Sequence, residues 1–132
     1  MSTNRAPEVA RITLAGIRIA NGSTALFAPS VLARQLGVEP RESQAVQYAF
    51  RLFGIRTLLL GVELLLPEGE VRTASLRVAP AIHASDTVSA ALAGLTRQIP
   101  VRPAVTATAI SAVNTVLALV AWGGERPWEA QG

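Results

Sequence analysis

The chain has no cysteine and no lysine, a single histidine, and only 5% aromatic residues among its 132. Without cysteine there is no disulfide, no thiolate nucleophile and no thiolate metal site, and nothing marks a redox compartment. One histidine with no His/Asp/Glu cluster beside it predicts no metal centre, and no motif implies a cofactor. Charge is scarce too, at 16%, and all 12 basic residues are arginine. These arginines give a sequence pI near 11.0. The net charge is nevertheless only +3, and the arginines are scattered, whereas a nucleic-acid binder gathers them on one face. Nucleic acid is not an expected partner.

What the chain does have is apolar sequence. Half of its residues are hydrophobic and the mean hydropathy is +0.37, which fits one domain over 1–132 and excludes a disordered segment. A helix that crosses a bilayer needs about 20 mostly apolar residues. Four stretches qualify, at about 9–28, 44–66, 73–94 and 104–122. Pro29 follows the first, and Pro67-Glu68-Gly69 closes the second. Pro80 is expected to kink or begin the third, and the fourth carries no charge. In the connection after the first stretch, Ser30 is placed to cap a short helix that Gly37 ends, lying at the membrane surface with Arg34 at the headgroups. The loops around Glu68 and Gln98 are short, so neighbouring helices pack antiparallel. The predicted fold is all-α: an antiparallel four-helix transmembrane bundle with a short interfacial helix in its first loop.

Arg5 and Arg11 resemble the basic start of a signal peptide, but Arg18 interrupts what would be its apolar core, so the first stretch is read as a retained span. The predicted location is a multi-pass protein of a bacterial inner (cytoplasmic) membrane. Orientation is not legible. Arg5, Arg11, Arg72, Arg77 and Arg126 fall on one side, and Arg34, Arg41, Arg51, Arg97 and Arg102 on the other, which leaves no positive-inside bias. A soluble bundle would give each helix a polar face, and the second and fourth stretches have little of one. The first and third are only moderately hydrophobic, which keeps a soluble helical ligand-binding protein as an alternative.

Each apolar stretch carries one strongly polar residue near its midpoint: Arg18, Arg56, Asp86 and Asn114. At mid-membrane an ionisable side chain costs at least ~2.5 kcal/mol, so such groups point inward, pair, and mark pockets. The chain also repeats itself. Gly16-Ile17-Arg18 recurs as Gly54-Ile55-Arg56, 38 residues on, and Ile82–Val88 (IHASDTV) aligns with Ile110–Val116 (ISAVNTV). Asp86 then matches Asn114, His83 matches Ser111, and Thr87 matches Thr115. Because adjacent spans run in opposite directions, each matched pair would form an inverted repeat about a midplane site. Gly16, Gly22, Gly54 and Gly61 are expected to allow close helix approach.

Helical spacing groups the side chains. Arg11, Arg18, Gly22 and Ala25 share one face, as do Arg56 and Glu63, then His83, Asp86 and Ala90, then Ser111, Asn114 and Ala118. Asp86 is the expected bidentate partner of Arg18 or Arg56. The second arginine is balanced by Glu63 or faces an anionic or carbonyl-bearing ligand. Arg18, Arg56, His83, Asp86 and Asn114 are therefore the candidate ligand-binding residues. His83 is expected chiefly as a hydrogen-bonding member of this network, although its titration range suits a proton carrier. Arg77 should snorkel to the interface, with Tyr48 and Trp122 as interfacial anchors.

The series GIRIANGSTALFAP, ARQLG, RLFGIRTLLLG, IHASDTVSAALAG and NTVLAL resembles a family of small four-helix membrane proteins from actinobacteria and fungi. That family is labelled a domain of unknown function and is more distantly similar to DoxX-like proteins. The resemblance spans about residues 9 to 122. It implies the same four-helix architecture and no established activity. The family's second-span motif reads G-x-R-D, whereas Thr57 follows Arg56 here, so the carboxylate that proton chemistry would use is absent.

Three functions fit these readings. The leading one is a small membrane protein that binds a lipid-like or quinone-like molecule, or serves as an accessory subunit of a membrane assembly, with lipids, a homo-oligomer or a membrane protein as partners. The second is an intramembrane isomerase, cyclase or epoxide-opening enzyme in which Asp86 and His83 are the catalytic acid and base on an apolar substrate. The soluble ligand-binding protein is the third.

Overall fold

The computed structural model of the protein describes residues 4–37 and 44–124. Arg41 and Arg126, two of the arginines weighed for orientation, lie outside them. Among the described residues there are five α-helices and no strand: α1 (Ala6–Phe27), α2 (Pro29–Gln35), α3 (Gln44–Leu65), α4 (Glu70–Leu95) and α5 (Val101–Gly123).

Local chemistry sets the helix ends. The Asn4 side chain accepts the Ala6 N–H at 3.0 Å, and Pro7 and Glu8 sit in the first turn of α1, where a missing N–H costs nothing and a negative charge meets the positive end of the helix dipole. Proline disfavours helical geometry in the residue before it. Ala28, preceding Pro29, accordingly leaves the helical region at φ −136° and ψ 59°, and Pro29 opens α2. Ser30 therefore lies inside α2 and does not cap it. Gly37, at φ 75°, donates to the Arg34 carbonyl at 3.0 Å and ends the helix, as a left-handed glycine does. Where α3 stops before Pro67, two arginines take up its last carbonyls: Arg11 donates to Leu64 O at 2.6 Å and Arg72 to Leu66 O at 3.3 Å. At the end of α4 the Gln98 and Arg97 amides reach back to the Ala93 and Gly94 carbonyls at 2.8 and 3.2 Å. That is the double closure usually built on glycine, with Arg97 at φ 60° in the glycine position. Pro80 falls within α4 and does not begin it.

α1 packs along α3, α4 along α5, and α1 also against α5, while α3 and α4 meet over only a short stretch. The α1–α3 seam depends on two glycines. A Cβ on Gly22 would stand 2.5 Å from the Leu58 amide nitrogen, and one on Gly54 would stand 2.5 Å from that of Leu26. Gly61 meets Arg18 and Ala15 in the same seam, but Gly16 has nothing within 4 Å and serves no crossing. The α4–α5 pair meets at its matched threonines. Thr87 and Thr115 lie 3.4 Å apart, and each donates to the carbonyl four residues back, of His83 and Ser111 respectively.

A mostly apolar core holds one buried guanidinium, and large apolar side chains also lie outside it. Arg18 is the largest fully buried side chain, while Phe27, Leu52, Leu59, Val62, Val113, Val116 and Leu119 are all exposed. One helix, Val101–Gly123, is long and apolar enough by length and composition to cross a membrane, and 22% of its apolar window is buried. α1, α3 and α4 do not meet that standard among the described residues, so the expectation of four stretches that each qualify alone reduces to one. The reason lies in their own side chains, since each carries arginines together with a carboxylate.

Candidate ligand-binding cavity

The bundle has two unlike halves. Toward the start of α1, Ala10, Leu14, Ala15, Leu64, Leu76, Ala79, Ala118 and Ala121 form a closed apolar cluster. Toward α2 the helices enclose a cavity of about 1010 Å³ instead. At its mid-bundle end it is bounded by Arg18, Arg56, His83, Asp86 and Asn114. Its α2 end is lined by Leu32, Leu36, Phe50, Phe53, Pro103 and Ala107, with Gln35 and Arg102 among them.

Arg18 sits at the floor, 2% exposed. Its Nε and one terminal nitrogen lie 2.9 and 2.7 Å from His83 Nε2, and its other terminal nitrogen donates to the Leu60 carbonyl at 3.3 Å. Guanidinium nitrogens only donate, so His83 Nε2 must present its lone pair and the ring proton must sit on Nδ1. Nδ1 in turn lies 3.8 Å from Asp86 Oδ2. The three residues form a chain in the order Arg18, His83, Asp86.

This corrects the expected pairing. No guanidinium of Arg18 or Arg56 forms an ion pair with Asp86; His83 stands between Arg18 and the carboxylate. Burying a neutral imidazole costs less than burying a carboxylate, so the ring takes the deep position. Asp86, one turn further along α4, keeps its side chain 45% exposed toward the cavity. Glu63 is partly buried and does not line the cavity.

Two groups at the cavity wall are left over. Asn114 is 6% exposed, and its Oδ1 has no hydrogen-bond partner. Arg56 is exposed to the cavity and makes no hydrogen bond or ion pair within 4 Å among the described residues. It acts on Asp86 only through its field. The matched arginines of the repeat therefore diverge, Arg18 sealed into the floor and Arg56 free on the wall.

Reasoning from sequence missed Arg102, Gln35, Phe50 and Phe53 as lining residues. Arg102 was counted only as a loop charge, and the two phenylalanines lack any periodic signal separating a cavity wall from an outer surface. No group of three or more His, Cys, Asp or Glu able to hold a metal occurs among the described residues. Comparison with protein-family models, curated proteins and solved structures returns no match. The DoxX-like resemblance thus rests on the motifs alone.

Proposed function

We propose that the protein is a multi-pass membrane bundle that holds one lipid-like or quinone-like molecule in the cavity between α1, α3, α4 and α5. The observation that carries this reading is the distribution of polarity around the cavity. The most buried of the named cavity-lining polar groups is an arginine fixed by a histidine, the α2 end is mostly apolar with Gln35 and Arg102 among its lining, and the outer helix faces expose leucine, valine and phenylalanine. Soluble monomers rarely expose contiguous apolar patches beyond a few hundred Å², whereas lipid accepts such a surface and drives polar groups inward. The low burial of the apolar window in α5 supports lipid contact over a soluble core role. α1, α3 and α4 would cross as members of the bundle, with Arg18 and Arg56 turned to its interior. Ligand sites are typically clefts of about 300–1,000 Å³ with few polar groups among apolar ones, and this cavity is at the top of that range.

The arrangement supports binding over acid/base catalysis. A general base must present an unshared lone pair to its substrate, and that of His83 Nε2 is taken up by two donors from Arg18. The test is fractionation followed by native mass spectrometry of protein released in mild detergent. The expected result is carbonate-resistant membrane association and a retained small molecule. A detergent-free, unliganded monomer in the soluble fraction would overturn the reading.

A further inference from the structure

We infer that the head group recognised in this cavity is a compact anion, a carboxylate on a single aliphatic chain, and that Asp86 competes with it for Arg56; this rests on the binding function proposed above. Three guanidiniums, of Arg18, Arg56 and Arg102, line the cavity against one carboxylate. Arg18 is hydrogen-bonded by His83 and the Leu60 carbonyl, acceptors without charge, and its charge is met only at a distance by Asp86 and Glu63. Arg56 has no bonded partner among the described residues, yet its planar fork matches a carboxylate bidentately.

The second, independent observation is Asn114, held at 6% exposure with Oδ1 unpartnered. Buried amides are nearly always hydrogen-bonded. An amide whose oxygen finds no donor in the fold is not locked in one orientation, so a change of side-chain rotamer can bring its N–H out to an anionic oxygen. Ser111, one turn earlier on the same helix, adds a hydroxyl to the same wall. A head group between Arg56 and Asn114 would thus meet a guanidinium, an amide and a hydroxyl. Its chain would run past Phe53 and Leu60 into the gap where α3 and α4 lie apart. The cavity volume of about 1010 Å³ is enough for one aliphatic chain.

Asp86 gives the inference a sign. It already shares the field of Arg56 and Arg18, so it offsets part of the attraction for a second carboxylate. Removing its charge should tighten binding of an acid and leave a neutral analogue unchanged. In the wild-type protein, tritiated hexadecanoic acid retained by the purified protein should be displaced by unlabelled hexadecanoic acid. Its methyl ester and hexadecanol should displace it only at about ten- to hundredfold higher concentration, the equivalent of one charged hydrogen bond. Arg56→Gln should lose that preference without loss of thermal stability, because Arg56 supports no contact in the fold, while Asp86→Asn should raise affinity for the acid. Equal displacement by acid, ester and alcohol would overturn the anionic head group but leave the cavity's binding function standing. Weaker acid binding in Asp86→Asn would overturn the competition. No retention of any of the three would remove the binding function itself, and this inference with it.

Discussion

The two halves of the bundle are built from the same helices and differ in what those helices present to one another. Near the start of α1 the facing residues are Ala10, Leu14, Leu64, Leu76, Ala118 and Ala121, whose small and medium side chains pack into one buried cluster. Past Arg18 the same four long helices diverge around a cavity, even though Gly22 and Gly54 bring α1 and α3 into backbone contact along its wall. Close approach on one seam and separation across the gap between α3 and α4 are thus complementary. Pinning one pair of helices and leaving another loosely joined produces a hollow, and the polar mid-helix residues seal its floor. The closed half buries the apolar cluster, and the open half leaves a cavity.

The largest effect should come at the pinned seam. Gly54→Leu should prevent α1 and α3 from meeting, because even a Cβ there would strike backbone atoms that have no rotamer by which to yield. The loss should exceed the ~1–3 kcal/mol of ordinary overpacking, and thermal unfolding will show either no folded protein or a large fall in midpoint. Next come matched truncations in the two halves. Leu14→Ala, at a site with 0% exposure, should cost about 2–5 kcal/mol, whereas Phe53→Ala, 44% exposed at the cavity wall, should cost about 1 kcal/mol or less. Equal losses would erase the distinction between a packed and a hollow half.

The junction between the halves should respond in between. His83→Ala removes the acceptor of two guanidinium N–H groups on a buried Arg18 and should cost about 1.5–3 kcal/mol. His83→Gln retains a side-chain acceptor and should recover part of that in chemical denaturation. Asp86→Asn, at a half-exposed carboxylate 3.8 Å from the imidazole, should change stability by under about 1 kcal/mol. The smallest effect belongs to Arg97→Gly, which relieves a left-handed arginine and should raise stability by roughly 0.5–1 kcal/mol.

Much of this organisation was legible in the sequence, because helix length and polar interruptions are local properties. The five helices follow from apolar runs cut by Pro29 and Pro67. The convergence of Arg18, Arg56, His83, Asp86 and Asn114 on one cavity follows from their shared mid-helix position. The actual bonding was not legible. Complementary charge suggests Arg18 with Asp86, and nothing local reveals that a neutral imidazole can occupy the deeper position at lower desolvation cost. Nor does the pattern GIR, present twice, reveal which arginine is buried. That depends on which helix has two packed neighbours: α1 lies between α3 and α5, while α3 has an open flank. The start of α2 at Pro29 and the close of α4 at Arg97 escaped notice for a related reason. Ser30 and glycine are the residues that ordinarily mark such points, and here backbone geometry placed the ends elsewhere.

In the proposed membrane bundle the apolar outer faces meet lipid while Arg18, His83 and Asn114 are turned inward. The chain has no cysteine, so a single Val116→Cys substitution on α5, at a position 59% exposed, gives a unique attachment point for a spin label in protein reconstituted into vesicles. Relaxation of this label should be dominated by oxygen, which concentrates in the bilayer interior, and barely touched by a water-soluble nickel chelate. Strong nickel accessibility with little oxygen effect at Val116→Cys would contradict it.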